Sequence, residues 1–151
     1  GTPEKLAEAE IDEIEQLIKT IGLYRSKAKN LQGMAQKLLL DYAGEVPSGM
    51  HDLVSLPGVG RKTANVVRSV SLGLPGLPVD THVSRIVQRL GITKETDPVK
   101  IEKAVGSMLP DDEHGDFSLR VILHGRQVCF ARKPNCAECV LSYFCPAAFK
   151  V

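Results

Sequence analysis

The twelve residues LPGVGRKTANVV, at 56–67, constrain this chain more than any other stretch. Pro57 sets the backbone entering a turn, and Gly58 and Gly60 permit positive φ and close approach by another backbone. Arg61 and Lys62 then fall in the first turn of the helix that follows. That end of a helix carries roughly half a positive charge, so carboxylates stabilise it and cations do not. Helix stability therefore does not account for the pair. A glycine turn at a helix N-terminus presents several backbone N–H groups with no side chain in the way, and beside Arg and Lys the natural ligand is a phosphate. A plain glycine-bearing helix connection has the same local features, and on these alone the two readings stand level.

Helix signals cover most of the remainder. Thr2-Pro3 reads as an N-cap with proline at the first helical position, and Asp12 with Glu15 as a capping-box start to a second helix carrying Ile11, Ile14, Ile18 and Ile21, stopped by Gly22. A longer amphipathic helix is predicted from Ser26 to about Tyr42, with Leu31, Met34, Leu38 and Leu39 on one face and Gly44 and Pro47 closing it. Further helices are expected at about 50–55, 62–72, 81–90, 98–109, where Asp97 caps Pro98, and 115–131. VVRSV and VILHG are rich in β-branched residues, but no alternating strands or hairpin turns accompany them, and the fold class expected is all-α. Setting Gly22 on Gly58 aligns IGLYRSKAKNL with PGVGRKTANVV, which suggests two helix-turn-helix units of similar build.

At 151 residues and 43% hydrophobic, the chain suits one domain, or one with a small appendage. No apolar run approaches the roughly 20 residues that span a bilayer, and no secretory signal opens the sequence, so a soluble intracellular protein is expected. A formal net charge of +1 gives no argument for a nucleic-acid partner. Local charge does: Arg25, Lys27 and Lys29 form one basic cluster and Arg61, Lys62 and Arg68 another, although such clusters are commonly just solvated helix faces.

Cys129, Cys136, Cys139 and Cys145 lie within the last 23 residues, spaced C-x6-C-x2-C-x5-C. In an intracellular chain this reads as a metal site rather than as two disulfides. Tetrahedral zinc usually pairs two C-x2-C knuckles and here there is one, while four thiolates in a compact loop also suit a [4Fe–4S] cubane. Spacing alone leaves both open.

LPGVGRKTANVV, LPVDTHVSRIVQRLG at 77–91, ILHGRQVC at 122–129 and the cysteine spacing together resemble the endonuclease III family of the helix-hairpin-helix DNA glycosylase superfamily, from about Thr2 to Phe149. The resemblance implies an all-α helix-hairpin-helix glycosylase fold with a partial helical barrel and a C-terminal iron–sulfur loop. Residues 1–22 would be N-terminal helices of the barrel, 23–112 the barrel with the hairpin at about 50–72, and 113–151 the cluster domain. It implies a base excision repair enzyme that removes oxidised pyrimidines from duplex DNA and then nicks the strand at the abasic site, with a [4Fe–4S] cluster on the four cysteines. Lys62 corresponds to the nucleophile and Asp80 to the catalytic carboxylate. Gly58, Val59, Gly60 and Arg61, with Arg25, correspond to DNA contacts, and Leu23 to the residue wedged into the base stack.

The residues themselves agree with part of this. Lys62 stands beside Arg61 at the positive end of a helix, and a lysine so placed can offer a free amine as nucleophile, whereas an ordinary surface lysine leaves its adverse position unexplained. Asp80 precedes a helix and reads equally as an N-cap, a role compatible with catalysis. Leu23 reads as well as a core leucine at a helix end. His82 and His124 sit in family-like motifs but read as structural histidines, and Arg126, Arg132 and Lys133 flank the cysteine loop as phosphate contacts or charge compensation. The family begins with further helices before the segment matching Thr2, so a fragment of a longer protein is expected, working as a monomer in the cytoplasm, on the nucleoid in a bacterium. Three rivals are a non-catalytic helix-hairpin-helix DNA-binding fragment, which does not need Lys62 and Asp80 together, an iron–sulfur redox protein, which does not need the hairpin, and an adenine-removing glycosylase, which generally lacks lysine at position 62.

Overall fold

The computed structural model describes residues 1–151 and contains helices and turns with no strand. The eight α-helices are α1 Pro3–Glu8, α2 Ile11–Ile18, α3 Tyr24–Tyr42, α4 Met50–Ser55, α5 Arg61–Val66, α6 Thr81–Arg89, α7 Pro98–Gly106 and α8 His114–Gln127. None is long and apolar enough to cross a membrane. Two compact units, Gly1–Ala64 and Asn65–Val151, make up the chain.

In the first unit α1 and α2 pack on the long α3, which buries Ala28, Ala35 and Leu38. Thr2 caps α1 as expected, its hydroxyl accepting from the Lys5 amide at 3.4 Å. The carbonyls at the end of α1, which no helical amide can reach, are taken by α3: Gln32 Nε2 donates to Ala9 O at 2.8 Å and Gln36 Nε2 to Ala7 O at 3.3 Å. The capping box expected at Asp12 does not form. Helix α2 already begins at Ile11, with Glu10 as its extended N-cap and no side-chain cap bond, so Asp12 is a first-turn acid that favours the helix through its charge.

Helix α3 starts two residues before Ser26. Its N-cap, Leu23, sits in the left-handed region at φ 61°. Gly22, the residue aligned with Gly58, is not among the positive-φ glycines, so the two glycine turns are built differently and the resemblance between them stops at sequence. At its other end α3 closes through Ala43 and Gly44, both at positive φ, with the Gly44 amide donating to Leu38 O at 2.9 Å.

The second unit is organised by α6. Leu77 and Val79, with Val83, Val87, Ile101 and Val105, form a nearly water-free cluster against which Phe117, Val121 and Ile122 of α8 pack. Val83, Ile86 and Val87 are mediocre helix formers, each costing a few tenths of a kcal/mol relative to alanine, but full burial returns about 1.5–3 kcal/mol apiece. Packing therefore decides that this segment is helical. VVRSV, β-branched as it is, ends α5 and continues as a π-helical turn, Val67–Ser71. Within it the Ser69 hydroxyl donates to the Asn65 carbonyl at 2.9 Å, the back-bonding that loosens a helix. Gly76 packs over that same carbonyl, where a Cβ would come within 2.5 Å. Helix α8 stops at Gln127 rather than near 131, because Val128 leaves helical geometry at φ −130° and the amides of Val128 and Cys129 both return to His124 O.

Leu23 is 81% exposed and held at positive φ, so its side chain stabilises nothing while its backbone costs about 1–2 kcal/mol. Leu23→Gly removes that strain against about 0.5–1 kcal/mol of added unfolded-state entropy. Urea unfolding should show the variant more stable by up to about 1 kcal/mol; a loss of stability would mean that the leucine packs on the fold.

Candidate functional site

The glycine turn rests on α3. Asn30 and Gly33, one turn apart, lie under it: Pro57 Cγ would sit 3.4 Å from a Cβ at Gly33, and a Cβ at Gly58 would meet Asn30 Cβ at 2.8 Å. Gly58 has φ +77° and is required both by conformation and by space. Gly60 adopts an ordinary φ and has nothing within 4 Å of a would-be Cβ, so no contact inside the chain demands glycine there. The Val59 amide is engaged by Leu56 O at 3.1 Å, and Gly60 O accepts the first helical bond of α5 from Ala64 at 2.9 Å. No backbone carbonyl accepts from the amides of Gly58, Gly60 or Lys62. Gly58, Gly60 and Lys62 are exposed, Val59 and Arg61 half-buried. The turn is thus a set of available donors at a helix start with a lysine in it, which can take an anion without moving.

Arg25 is largely exposed, lies 5.0 Å over the Tyr24 ring and has Glu15 as an ion-pair partner at 3.7 Å. Such a surface pair contributes at most about 1 kcal/mol and can be exchanged for another anion. Beside Arg25, Leu23 projects into solvent; it is not a core leucine.

Asp80 ends the extended segment Gly76–Val79, all four residues of which are buried. Its Oδ1 alone accepts both cap bonds of α6, from His82 at 2.8 Å and Val83 at 2.9 Å. Oδ2 takes no part in the cap, so one carboxylate can hold the helix and still present an oxygen. On the first turn of α6, His82 Nδ1 lies 3.2 Å from Arg85 Nη2, which also donates to Gly125 O at 3.1 Å and Cys129 O at 2.9 Å. His82 is therefore built into the packing of α6 on α8, and Gly125 is glycine because a Cβ there would meet His82, Ile86 and Arg85 within 3.0 Å. His124, on α8, has its pKa lowered by burial, and its Nε2 is 3.7 Å from Cys139 Sγ.

All four cysteines are free thiols lining one pocket, together with Arg89 and His124. They are not converged: no three His, Cys, Asp or Glu side chains are gathered tightly enough to hold a single metal ion. Zinc needs four sulfurs about 2.3 Å from one point. A cubane is ligated at four separate corners, so its thiolates surround a volume. Four thiols set around one pocket suit a cluster held at four corners.

Residues 1–111 match the family described as HhH-GPD superfamily base excision DNA repair protein, and residues 129–145 the iron–sulfur binding domain of endonuclease III. The chain belongs to the endonuclease III family. Endonuclease III of Synechocystis sp. is 51% identical over 95% of the chain, that of Bacillus subtilis 47% over 95%, and that of Escherichia coli 39% over 100% of the chain. The chain spans 66% of the length of the first two relatives and 72% of the third. A solved non-covalent endonuclease III–DNA complex superimposes with a TM-score of 0.92 at 41% identity, covering 97% of this chain and 69% of that one. A trapped endonuclease III–DNA covalent intermediate superimposes equally well at 42% identity, covering 97% and 70%. The matched iron–sulfur segment, 129–145, carries all four cysteines, and the cofactor of the chain is a [4Fe–4S] cluster.

Sequence reasoning missed Asn30, Arg85 and Arg89. None carries a local signal, since each acts on a segment 28 to 44 residues further along, and only packing brings them there. Purified without oxygen, the chain should show broad visible absorbance and about four irons per molecule, and Cys136→Ser should lose most of both. Stoichiometric zinc in a colourless protein would overturn the cluster assignment.

Proposed function

We propose that this endonuclease III-family chain acts in base excision repair as a DNA glycosylase with AP lyase activity, excising oxidised pyrimidines from duplex DNA through a lysine Schiff base. The observation that carries this is the exposed Lys62 at the second position of α5, beside the unclaimed amides of Gly58 and Gly60. A turn that grips the phosphate backbone delivers an amine to the adjoining sugar. The covalent endonuclease III–DNA intermediate, whose protein is 42% identical to this chain, supports the same chemistry.

In this reading the damaged nucleotide leaves the stack, because its glycosidic carbon is unreachable inside a duplex. Leu23 fills the gap as an apolar wedge, which offsets part of the unstacking cost. As the base departs, positive charge develops on the sugar, and the free Oδ2 of Asp80 stabilises it. The Lys62 amine bonds to the sugar carbon from which the base leaves, the ring opens to a Schiff base, and loss of a proton from the neighbouring carbon expels the 3′ phosphate. Gly58, Gly60 and Arg61 hold phosphates, with Val59 packed in the turn and Arg25 adding a contact near the wedge. Lys62 favours the bifunctional reaction over an adenine-removing glycosylase or a non-catalytic clamp.

The domain reading proposed is barrel helices at 1–22, the barrel with its hairpin at 23–112, and the cluster domain at 113–151. The protein is proposed to work as a monomer in the cytoplasm, on the nucleoid in a bacterium, with lesion-bearing or abasic duplex DNA as its partner.

Gly60→Asp places an anion among the phosphate donors where nothing else in the chain is displaced. Binding isotherms should weaken about equally for all duplex sequences, because phosphate contacts carry no base information, and affinity should fall as salt rises. A changed sequence preference without general weakening would count against the clamp.

Borohydride reduces a Schiff base to a stable amine, so protein incubated with damaged duplex and borohydride should yield a covalent adduct on denaturing gels. Lys62→Gln should abolish the adduct while leaving folding and DNA binding nearly intact, since an exposed change at a cation-unfavourable position costs little. Asp80→Asn should slow base release by orders of magnitude yet keep the α6 cap, because asparagine caps about as well as aspartate. Undiminished adduct from Lys62→Gln would assign the chemistry to another amine.

A further inference from the structure

The mechanism leaves one charged group of the cysteine cavity without a task. Arg89, in the last turn of α6, lines that cavity with all four cysteines. Its Nη1 donates to Cys129 Sγ at 3.3 Å and to Phe130 O at 2.7 Å, and its Nη2 to Ala131 O at 3.0 Å. Three bonds to three consecutive residues leave the guanidinium little freedom. The other sulfurs have different company: Cys139 Sγ lies 3.7 Å from the His124 imidazole, and Cys145 Sγ lies 3.4 Å from the carbonyl of Arg89 itself. Cys129 is the sulfur with a guanidinium on it.

We propose that Arg89 is a positioning residue that tunes the cluster, its charged N–H···S hydrogen bond drawing electron density from the Cys129 thiolate and raising the cluster's reduction potential. This rests on the four cysteines holding a [4Fe–4S] cluster. Adding an electron makes the cluster and its thiolates more negative, and a cation hydrogen-bonded to a ligand sulfur stabilises that form more than the oxidised one. Arg89 is half-buried, where salt and water screen such an interaction less than at the surface. The two carbonyl bonds hold the guanidinium beside the sulfur. A loop-holding role alone predicts something else: loss of iron without any change in the potential of the clusters that remain.

The test is a spectroelectrochemical titration of the iron-loaded full chain, the electrode supplying and removing the electron, with iron content measured in parallel. Arg89→Met removes both charge and donors, Arg89→Gln keeps an N–H₂ donor without the charge, and Arg89→Lys keeps the charge on a single amine. Arg132→Gln is the matched control, removing one exposed cation from the same loop. The expected result for Arg89→Met is a shift to more negative potential equivalent to about tenfold in the redox equilibrium, 59 mV for one electron. Arg89→Gln should fall between it and the parent, Arg89→Lys nearest the parent, and Arg132→Gln should barely move. Parental potentials in iron-loaded Arg89→Gln and Arg89→Met would overturn the proposal, as would a shift of the same size from Arg132→Gln. Loss of iron from both Arg89→Met and Arg89→Gln would overturn it as well, leaving Arg89 a residue that holds the loop. A parent protein without iron would instead refute the cofactor reading on which the proposal stands.

Discussion

The bond pair from the His82 and Val83 amides to Asp80 Oδ1 is the interaction from which the second unit is organised. It fixes where α6 begins. Once the start is fixed, the helical period sends Val83, Ile86 and Val87 inward together, and the buried Leu77 and Val79 just before the cap lock the entering chain against the same cluster. The same period brings Arg85 and Arg89 out on the side where the chain leaves α8, where they take the carbonyls of residues 125, 129, 130 and 131. A cap that uses a single carboxylate oxygen leaves the other outside it, which is what the role proposed for Asp80 requires.

In the first unit the corresponding support is α3. Nineteen residues long, it closes α1 with two glutamines, buries a row of small and apolar residues, and provides Asn30 and Gly33 as the floor of the glycine turn. The two glycines of that turn have separate causes. Gly58 is required by its own φ and by Asn30; Gly60 is required by nothing inside the chain. The open space at Gly60 leaves clearance for a group approaching from outside, which the proposed phosphate contact would use.

Much of this was legible in the residues. The caps at Thr2, Asp80 and Asp97 form as their residue types dictate, because a cap is decided within four residues of chain. The start of α2 was not legible: Asp12 and Glu15 satisfy the capping pattern, but the turn after α1, held by Gln32 from a distant helix, starts α2 earlier. The end of α8 was misjudged for a related reason, since nothing near residue 128 breaks a helix, and the loop pairing Asn135 with Val128 O belongs to the cysteine cavity. By pattern Leu23 reads as well as a core leucine as a wedge, and only the structure shows it at positive φ and exposed.

What the sequence by itself determined is the part of the chemistry that depends on short spacing: an all-helical chain, a glycine turn ahead of Arg61 and Lys62, a carboxylate at a helix start, and four cysteines within seventeen residues of one another. These follow from dihedral preferences, cap geometry and ligand type, all local. What only the tertiary structure decided is which groups remain available once packing is complete: that Oδ2 of Asp80 stays outside its cap, that the amides of Gly58 and Gly60 find no internal acceptor while that of Val59 does, that the cysteines surround a cavity rather than a point, and that Arg89 reaches the sulfur of Cys129. Availability is set by what the rest of the chain has already claimed, and those claims come from partners tens of residues away, which no local pattern records.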